Sequence, residues 1–252
     1  MEQIWWHDKV GYKINKNFFT IDEKGCFDEE EIKKKMDYMI RLGADCILMA
    51  WNPSWKYGLT EIFNQAEKRR ISIIIGECQK HDIISFSCPK DHFYRQSAYV
   101  TLCLLQHGMP VIVQGQEIGL FDEMAPISWD RVELYEQEYG SILNFTRRLI
   151  SFRKSAQYKE IFTYGSFRPI YEVETKIRAY ERSLKNKSVQ VICNYSDENV
   201  DLLLKEDYIN IIFVNYEQVS RIGNTLKLKP YQIVVVELFI SEIIFSDFLT
   251  KF

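Results

Sequence analysis

Residues 28–49 read DEEEIKKKMDYMIRLGADCILM, and they hold one whole structural unit. Ile32, Met36, Met39 and Ile40 recur at helical spacing, which predicts a helix over Glu29–Leu42. Asp28 stands where an N-cap belongs and Gly43 where a helix stops. The run that follows, Asp45–Trp51, is almost wholly apolar, as in a parallel strand buried on both faces. Outward from this unit the same alternation continues. Val10–Asn15 reads as a strand, Thr60–Arg70 as a helix and Ile71–Ile75 as a strand of β-branched residues. Tyr94–His107 reads as a helix, Val111–Gln114 as a strand, and Tyr139–Lys154 as a helix with basic residues toward its end. Ile83–Phe86 is a candidate fifth strand. Strand alternating with helix predicts βαβ units and a parallel sheet.

The pattern changes near Ser155. Beyond Ile161 the segments are short and strand-like: Arg168–Val173, Ile177–Arg182, Val189–Asn194, Val200–Leu204, Ile209–Val214 and Ile233–Leu238. Turn signals such as Asn186-Lys187, Ser196-Asp197 and Gly223-Asn224 separate them. The expected architecture is therefore α/β over residues 1–156, then a small antiparallel β-sandwich over residues 157–252. The last segment, Ile240–Phe252, reads as a helix or strand docked on the β domain, or as a partner-binding face.

Composition removes several function classes. The chain has 252 residues, 32 Lys plus Arg against 35 Asp plus Glu, and a net charge of -3, so no basic footprint points to nucleic acid. No apolar run approaches the ~18 residues of a membrane span, and Met1–Val10 lacks a signal-peptide core. The six cysteines form no C-x-x-C pair and several sit in apolar runs, which suits a reduced, cytoplasmic chain and neither a disulfide framework nor a zinc site. Asp22-Glu23-Lys24-Gly25 sets a lysine among would-be oxygen ligands, so no metal is expected there, and no cofactor is expected. Lys33-Lys34-Lys35 and Lys68-Arg69-Arg70 read as solvated helix faces.

Several stretches resemble the alpha-amylase family of glycoside hydrolases (family 13), in its oligo-1,6-glucosidase, alpha-glucosidase and trehalose-phosphate hydrolase branch. They are Trp6–Phe19 (WHDKVGYKINKNFF), Ile32–Met49, Leu59–Ile75, Ser97–Gly119 ending MPVIVQGQEIG, and Ser141–Lys154 (SILNFTRRLISFRK). Ile177–Arg182, Asn194–Ser196 and Leu228–Leu238 resemble that family's C-terminal β domain. The resemblance implies a TIM-type (β/α) barrel, but a complete one takes about 250 residues by itself. Residues 1–156 supply about four or five parallel strands, so an incomplete, internally shortened barrel is expected. The shortfall falls mainly after Ile75.

The same resemblance implies the chemistry. Retaining glycosidases set a nucleophile and an acid/base about 5–5.5 Å apart. The family's nucleophile motif, of the form G-F-R-x-D, has no counterpart here. Gly76-Glu77 resembles the strand-following G-E of the family's general acid, although Glu77 also reads as the first polar residue after a strand. His81-Asp82 resembles the end of an N-H-D motif, with Lys80 where the asparagine would stand. On that likeness Asp82 takes the third-carboxylate position and His81 binds a sugar hydroxyl, or the two are a helix-flanking surface pair. Gln114, Gln116 and Glu117 are expected to hydrogen-bond structurally at the rim. The expected function is hydrolysis of α-glucosidic bonds in short oligosaccharides, impaired by the missing nucleophile. The alternative is a non-catalytic carbohydrate-binding or interaction protein derived from an alpha-glucosidase. The expected partner is a small oligosaccharide or α-glucoside, with no nucleic acid and no membrane, and a second copy could cover open sheet edges.

Overall fold

The structure, a computed structural model, describes residues 5–20, 27–51, 58–76, 83–84 (backbone), 93–120, 125–205 and 209–238. It divides into two compact units, Met1–Lys159 and Glu160–Phe252.

The first unit is a parallel sheet with helices. Its strands are β1 (Gly11–Ile14), β2 (Cys46–Met49), β3 (Ser72–Ile75), β4 (Ile83–Ile84) and β5 (Met109–Val113). They lie in the order β3-β2-β1-β5-β4, and every pairing is parallel. Among the described residues this sheet is not closed: β3 and β4 are its two edges. The helices are α1 (Glu29–Leu42), α2 (Leu59–Lys68), α3 (Phe93–Leu104), α4 (Trp129–Gln137) and α5 (Ile142–Arg153).

Local chemistry sets the helix ends. The Asp28 carboxylate accepts the N–H groups of Glu30 and Glu31, satisfying two of the donors a helix start leaves open. Gly43 has φ +100° and its N–H closes α1 onto Met39 and Ile40. A side chain there would also strike Ile150 of α5, 2.7 Å from the added Cβ. Asp45 then fastens the start of the sheet. It accepts the Val10 N–H at 2.7 Å and an ion pair from Lys154 at 2.8 Å. Arg153 is buried and donates to the carbonyls of Leu104, Gln106 and Gly108, which ties α5 to the link between α3 and β5.

Four expectations change. The helix expected over Tyr139–Lys154 is α5, which starts only at Ile142 because Ser141 caps it by accepting the Asn144 N–H, and a separate helix that was not expected, α4, ends before it at Gln137. Lys35 is buried, not on a solvated face: its ammonium bonds Glu31 and the Phe18 carbonyl. Arg69 is largely buried and paired with Asp37 at 2.7 Å. A short helix, α6 (Lys159–Tyr164), stands where strands were expected to begin.

The second unit is antiparallel. Its strands are β6 (Ser166–Ile170), β7 (Ile177–Leu184), β8 (Lys187–Asn194), β9 (Val200–Leu203), β10 (Ile209–Val214), β11 (Ser220–Ile222), β12 (Thr225–Leu228) and β13 (Ile233–Leu238). They form a five-stranded sheet, β10-β13-β8-β7-β6, and a three-stranded sheet, β11-β12-β9. Ile192, Val234 and Val236 of the first sheet share one core with Leu202, Leu226 and Leu228 of the second. Arg182 is fully buried in this unit and donates to the carbonyls of Phe162, Gly165 and Ser166. Burial pulls its guanidinium down to about 10. The Ile240–Phe252 segment lies outside the described residues.

Candidate functional site

Alternation along β1 sorts its side chains onto two faces. Tyr12 faces the helices, where its hydroxyl donates to Glu117 and its ring meets Tyr38 of α1 edge-on, 6.5 Å between centroids. Gly11 and Lys13 therefore take the other face. A side chain at Gly11 would meet Leu48, Val111 and Met109. Cys46, Leu48, Met109 and Val111, with Trp6 and Ile74 against them, form the packed floor of that face.

Lys13 is on the same face, two residues further along β1 than Gly11. It is in register with Leu48 on β2 and Val113 on β5, so its strand is flanked on both sides. It is nevertheless exposed. Water thus reaches this face of the sheet at the level of Lys13, toward the strands' C-terminal ends. In β/α barrels that is the end where active sites lie.

Three segments stand on the rim beyond these ends. On β5's side the run Gln114–Gly119 turns sharply, with Gly115 at φ +88° and Gly119 at φ +69°. The amide side chains expected to be structural do brace it. Gln114 accepts the Asn15 N–H at 3.1 Å and donates to the Ala125 carbonyl, and Gln116 accepts the Val113 N–H at 3.1 Å. Beyond β2 stands Trp51, 59% exposed. Beyond β3 stands Gly76, at φ +141°, whose N–H bonds the Met49 carbonyl. A Cβ on Gly76 would find nothing within 4 Å among the described residues.

Glu117 belongs to the support, not to the open face. It is fully buried, and its Oε1 accepts the hydroxyls of Tyr12 at 2.8 Å and Tyr38 at 2.6 Å. Burial raises its carboxyl above the usual glutamate value, opposed by those two donors. Among the described residues its Oε2 has no hydrogen-bond partner. Burial, with the nearby carboxylate, also holds both tyrosine hydroxyls well above their ordinary value, so both stay protonated donors.

A cleft of about 550 Å³ opens at the opposite end of the sheet, where Asp45 and Ile71 precede β2 and β3. Its cations are largely committed: Lys154 to Asp45, Arg69 to Asp37, Arg147 to Glu136. None of its lining residues belongs to the rim segments.

Of the expected site residues, Glu77, His81 and Asp82 all lie outside the described residues. The described chain stops at Gly76 on the rim before them and resumes at Ile83 of β4 after them. Sequence reasoning overlooked Lys13 and Trp51. The signal for Lys13 was available: a lysine at an inward position of a strand whose other residues are all buried. Cys46, Cys103 and Cys193 are buried free thiols, whereas Cys26, Cys78 and Cys88 lie outside the described residues. Among the described residues no group of His, Cys, Asp or Glu is arranged to hold a metal ion, and no helix is long and apolar enough to cross a membrane.

The fold is a parallel β/α sheet with a water-open C-terminal rim, followed along the chain by two antiparallel sheets sharing a core. Comparison with known proteins finds the same arrangement. The alpha-amylase SusG C-terminal domain family matches residues 177–235. A cyclomaltodextrinase of Thermoanaerobacter pseudethanolicus is 32% identical over 125 residues, 49% of this chain and 21% of that protein. An oligo-1,6-glucosidase of Bacillus cereus is 30% identical over 106 residues, 40% of this chain and 18% of that protein. The trehalose-6-phosphate hydrolase of Bacillus licheniformis shares the fold with a TM-score of 0.72 at 12% identity, covering 94% of this chain and 100% of that one. An isomaltulose synthase of Klebsiella sp. LX3 does so at 0.70 and 12%, with the same coverage. The chain is thus similar in parts to alpha-amylase-type proteins and shares the fold of these two solved structures. It spans only about a fifth of the length of the curated relatives it matches.

Proposed function

We propose that this chain binds short α-glucosidic oligosaccharides at the C-terminal rim of its parallel sheet and hydrolyses them poorly or not at all. The observation that carries the reading is the exposure of Lys13 on a strand flanked from both sides. It marks a wet, ligand-accessible face on a scaffold whose relatives include a cyclomaltodextrinase and an oligo-1,6-glucosidase. In this reading Asp82 takes the third-carboxylate role, His81 holds a sugar hydroxyl, and Glu77 is either the general acid or a turn residue.

Impairment follows from what must be missing. Residues 76–82 separate β3 from β4, yet these two strands stand at opposite ends of the sheet. A parallel crossover takes a dozen or more residues. That link is too short to carry another strand and helix, and hence too short to carry a nucleophile on a strand of its own. This supports an incomplete barrel, and without a nucleophile there is no covalent glycosyl intermediate. A reduced, cytoplasmic setting suits the buried free thiols Cys46, Cys103 and Cys193.

The test uses the full chain. Calorimetric titration with maltose and isomaltose should show binding, while p-nitrophenyl α-glucoside should release no more chromophore than a buffer blank. Turnover abolished by Asp82→Asn and by Glu77→Gln would overturn the impairment. Failure of every α-glucoside to bind would overturn the sugar-binding reading.

A further inference from the structure

We infer that Trp51 is the stacking platform for one α-linked glucosyl ring, the residue that sets affinity at this rim. The inference rests on the sugar-binding reading above and adds a residue to it. Tryptophan is rarely left so open to water: it is mostly buried on average because its large ring gains much from leaving solvent. Here it is 59% exposed, and among the described residues it makes no ring stack, hydrogen bond or ion contact.

Its position fits a pyranose better than another apolar surface. Ile14 and Met49 are in register, as are Met49 and Ile75, so the rim positions beyond them follow the order β1, β2, β3. On one side of Trp51 the chain beyond β1 offers the exposed polar residues Lys16 and Asn17. On the other side stands Ile75, 39% exposed, followed by Gly76. The rim is thus polar, aromatic, then aliphatic, over the width of three strands. A glucosyl ring is amphipathic in the same sense: its C–H face stacks on an aromatic plane while its hydroxyl edge seeks polar groups. A protein partner would favour a contiguous apolar patch, and the polar flank at β1 interrupts one.

Tryptophan fluorescence and calorimetry on the full chain test this, with maltotriose and isomaltose as ligands. Trp51→Ala should weaken binding about tenfold, in the range of aromatic contacts. Trp51→Phe should weaken it about two- to threefold and abolish the sugar-induced emission shift, since a smaller ring still stacks but no longer reports. Trp5→Phe, at a comparably exposed tryptophan before β1, should change neither. If Trp51→Ala binds sugar as the unaltered chain does, the assignment of Trp51 is wrong while the sugar-binding reading stands. If the unaltered chain binds neither sugar, both fall.

Discussion

Replacing Glu117 with glutamine probes the buried support under the rim. In the native chain Oε1 collects both tyrosine hydroxyls and, among the described residues, no side chain donates to Oε2, so burial of the carboxylate is offset at one oxygen more than at the other. Burial accordingly raises its pKa, and the folded protein holds a proton that the unfolded chain releases near pH 4.3. Above that pH the unfolded state binds fewer protons than the native state. Stability must therefore fall as pH rises, by up to about 1.4 kcal/mol per pH unit, and level off once the folded carboxyl has ionised. Glu117→Gln keeps the acceptor for Tyr12 and Tyr38 but cannot ionise. Below pH 4 the variant should lie within about 1 kcal/mol of the parent, the scale of one altered hydrogen bond. From there upward its stability relative to the parent should rise with pH, and level off once the parent's folded carboxyl has ionised. The five tryptophans, Trp5, Trp6, Trp51, Trp55 and Trp129, all belong to the first unit, so urea unfolding followed by their emission reports that unit alone. A difference between the two proteins that stays constant from pH 4 to 8, or shrinks as pH rises, would refute the reasoning.

Two further substitutions separate the units. Arg182→Met strands three carbonyls in the second unit, each worth about 1–3 kcal/mol if left unbonded. It should shift the far-UV circular dichroism transition to lower urea with little change in the tryptophan transition. Gly43→Ala forces a side chain into φ +100°, at a cost of about 1–2 kcal/mol, and into Ile150. It should lower the midpoint of the tryptophan transition; an unchanged midpoint would mean that α1 and α5 yield there freely.

Much of this fold can be read from short-range chemistry. Asp28, the apolar stripe from Ile32 to Leu42, and Gly43 mark α1 to the residue, because cap, stripe and stop all agree. The strands Ile209–Val214 and Ile233–Leu238 are equally legible, being β-branched runs between turn residues. Where reading failed, a tertiary partner decided. Lys35 looks like a surface charge until the Phe18 carbonyl and Glu31 are brought to it. The strands Ser220–Ile222 and Thr225–Leu228 are too short and too polar to announce themselves, and are held by pairing with β9 and by Leu226 and Leu228 in the shared core. The site divides in the same way. Gln114, Gln116 and Glu117 are legible as rim supports because the motif is local. Lys13 and Trp51 gain meaning only from which face of the sheet is open, and a single strand's pattern does not carry that.

A crystal structure of the full chain grown with isomaltose would test the central claim most directly. Sugar density at the rim where β1, β2 and β3 end, with one ring against Trp51 and the glycosidic bond intact, is the predicted result. Sugar bound only to the antiparallel unit, or cleaved product at the rim, would contradict it.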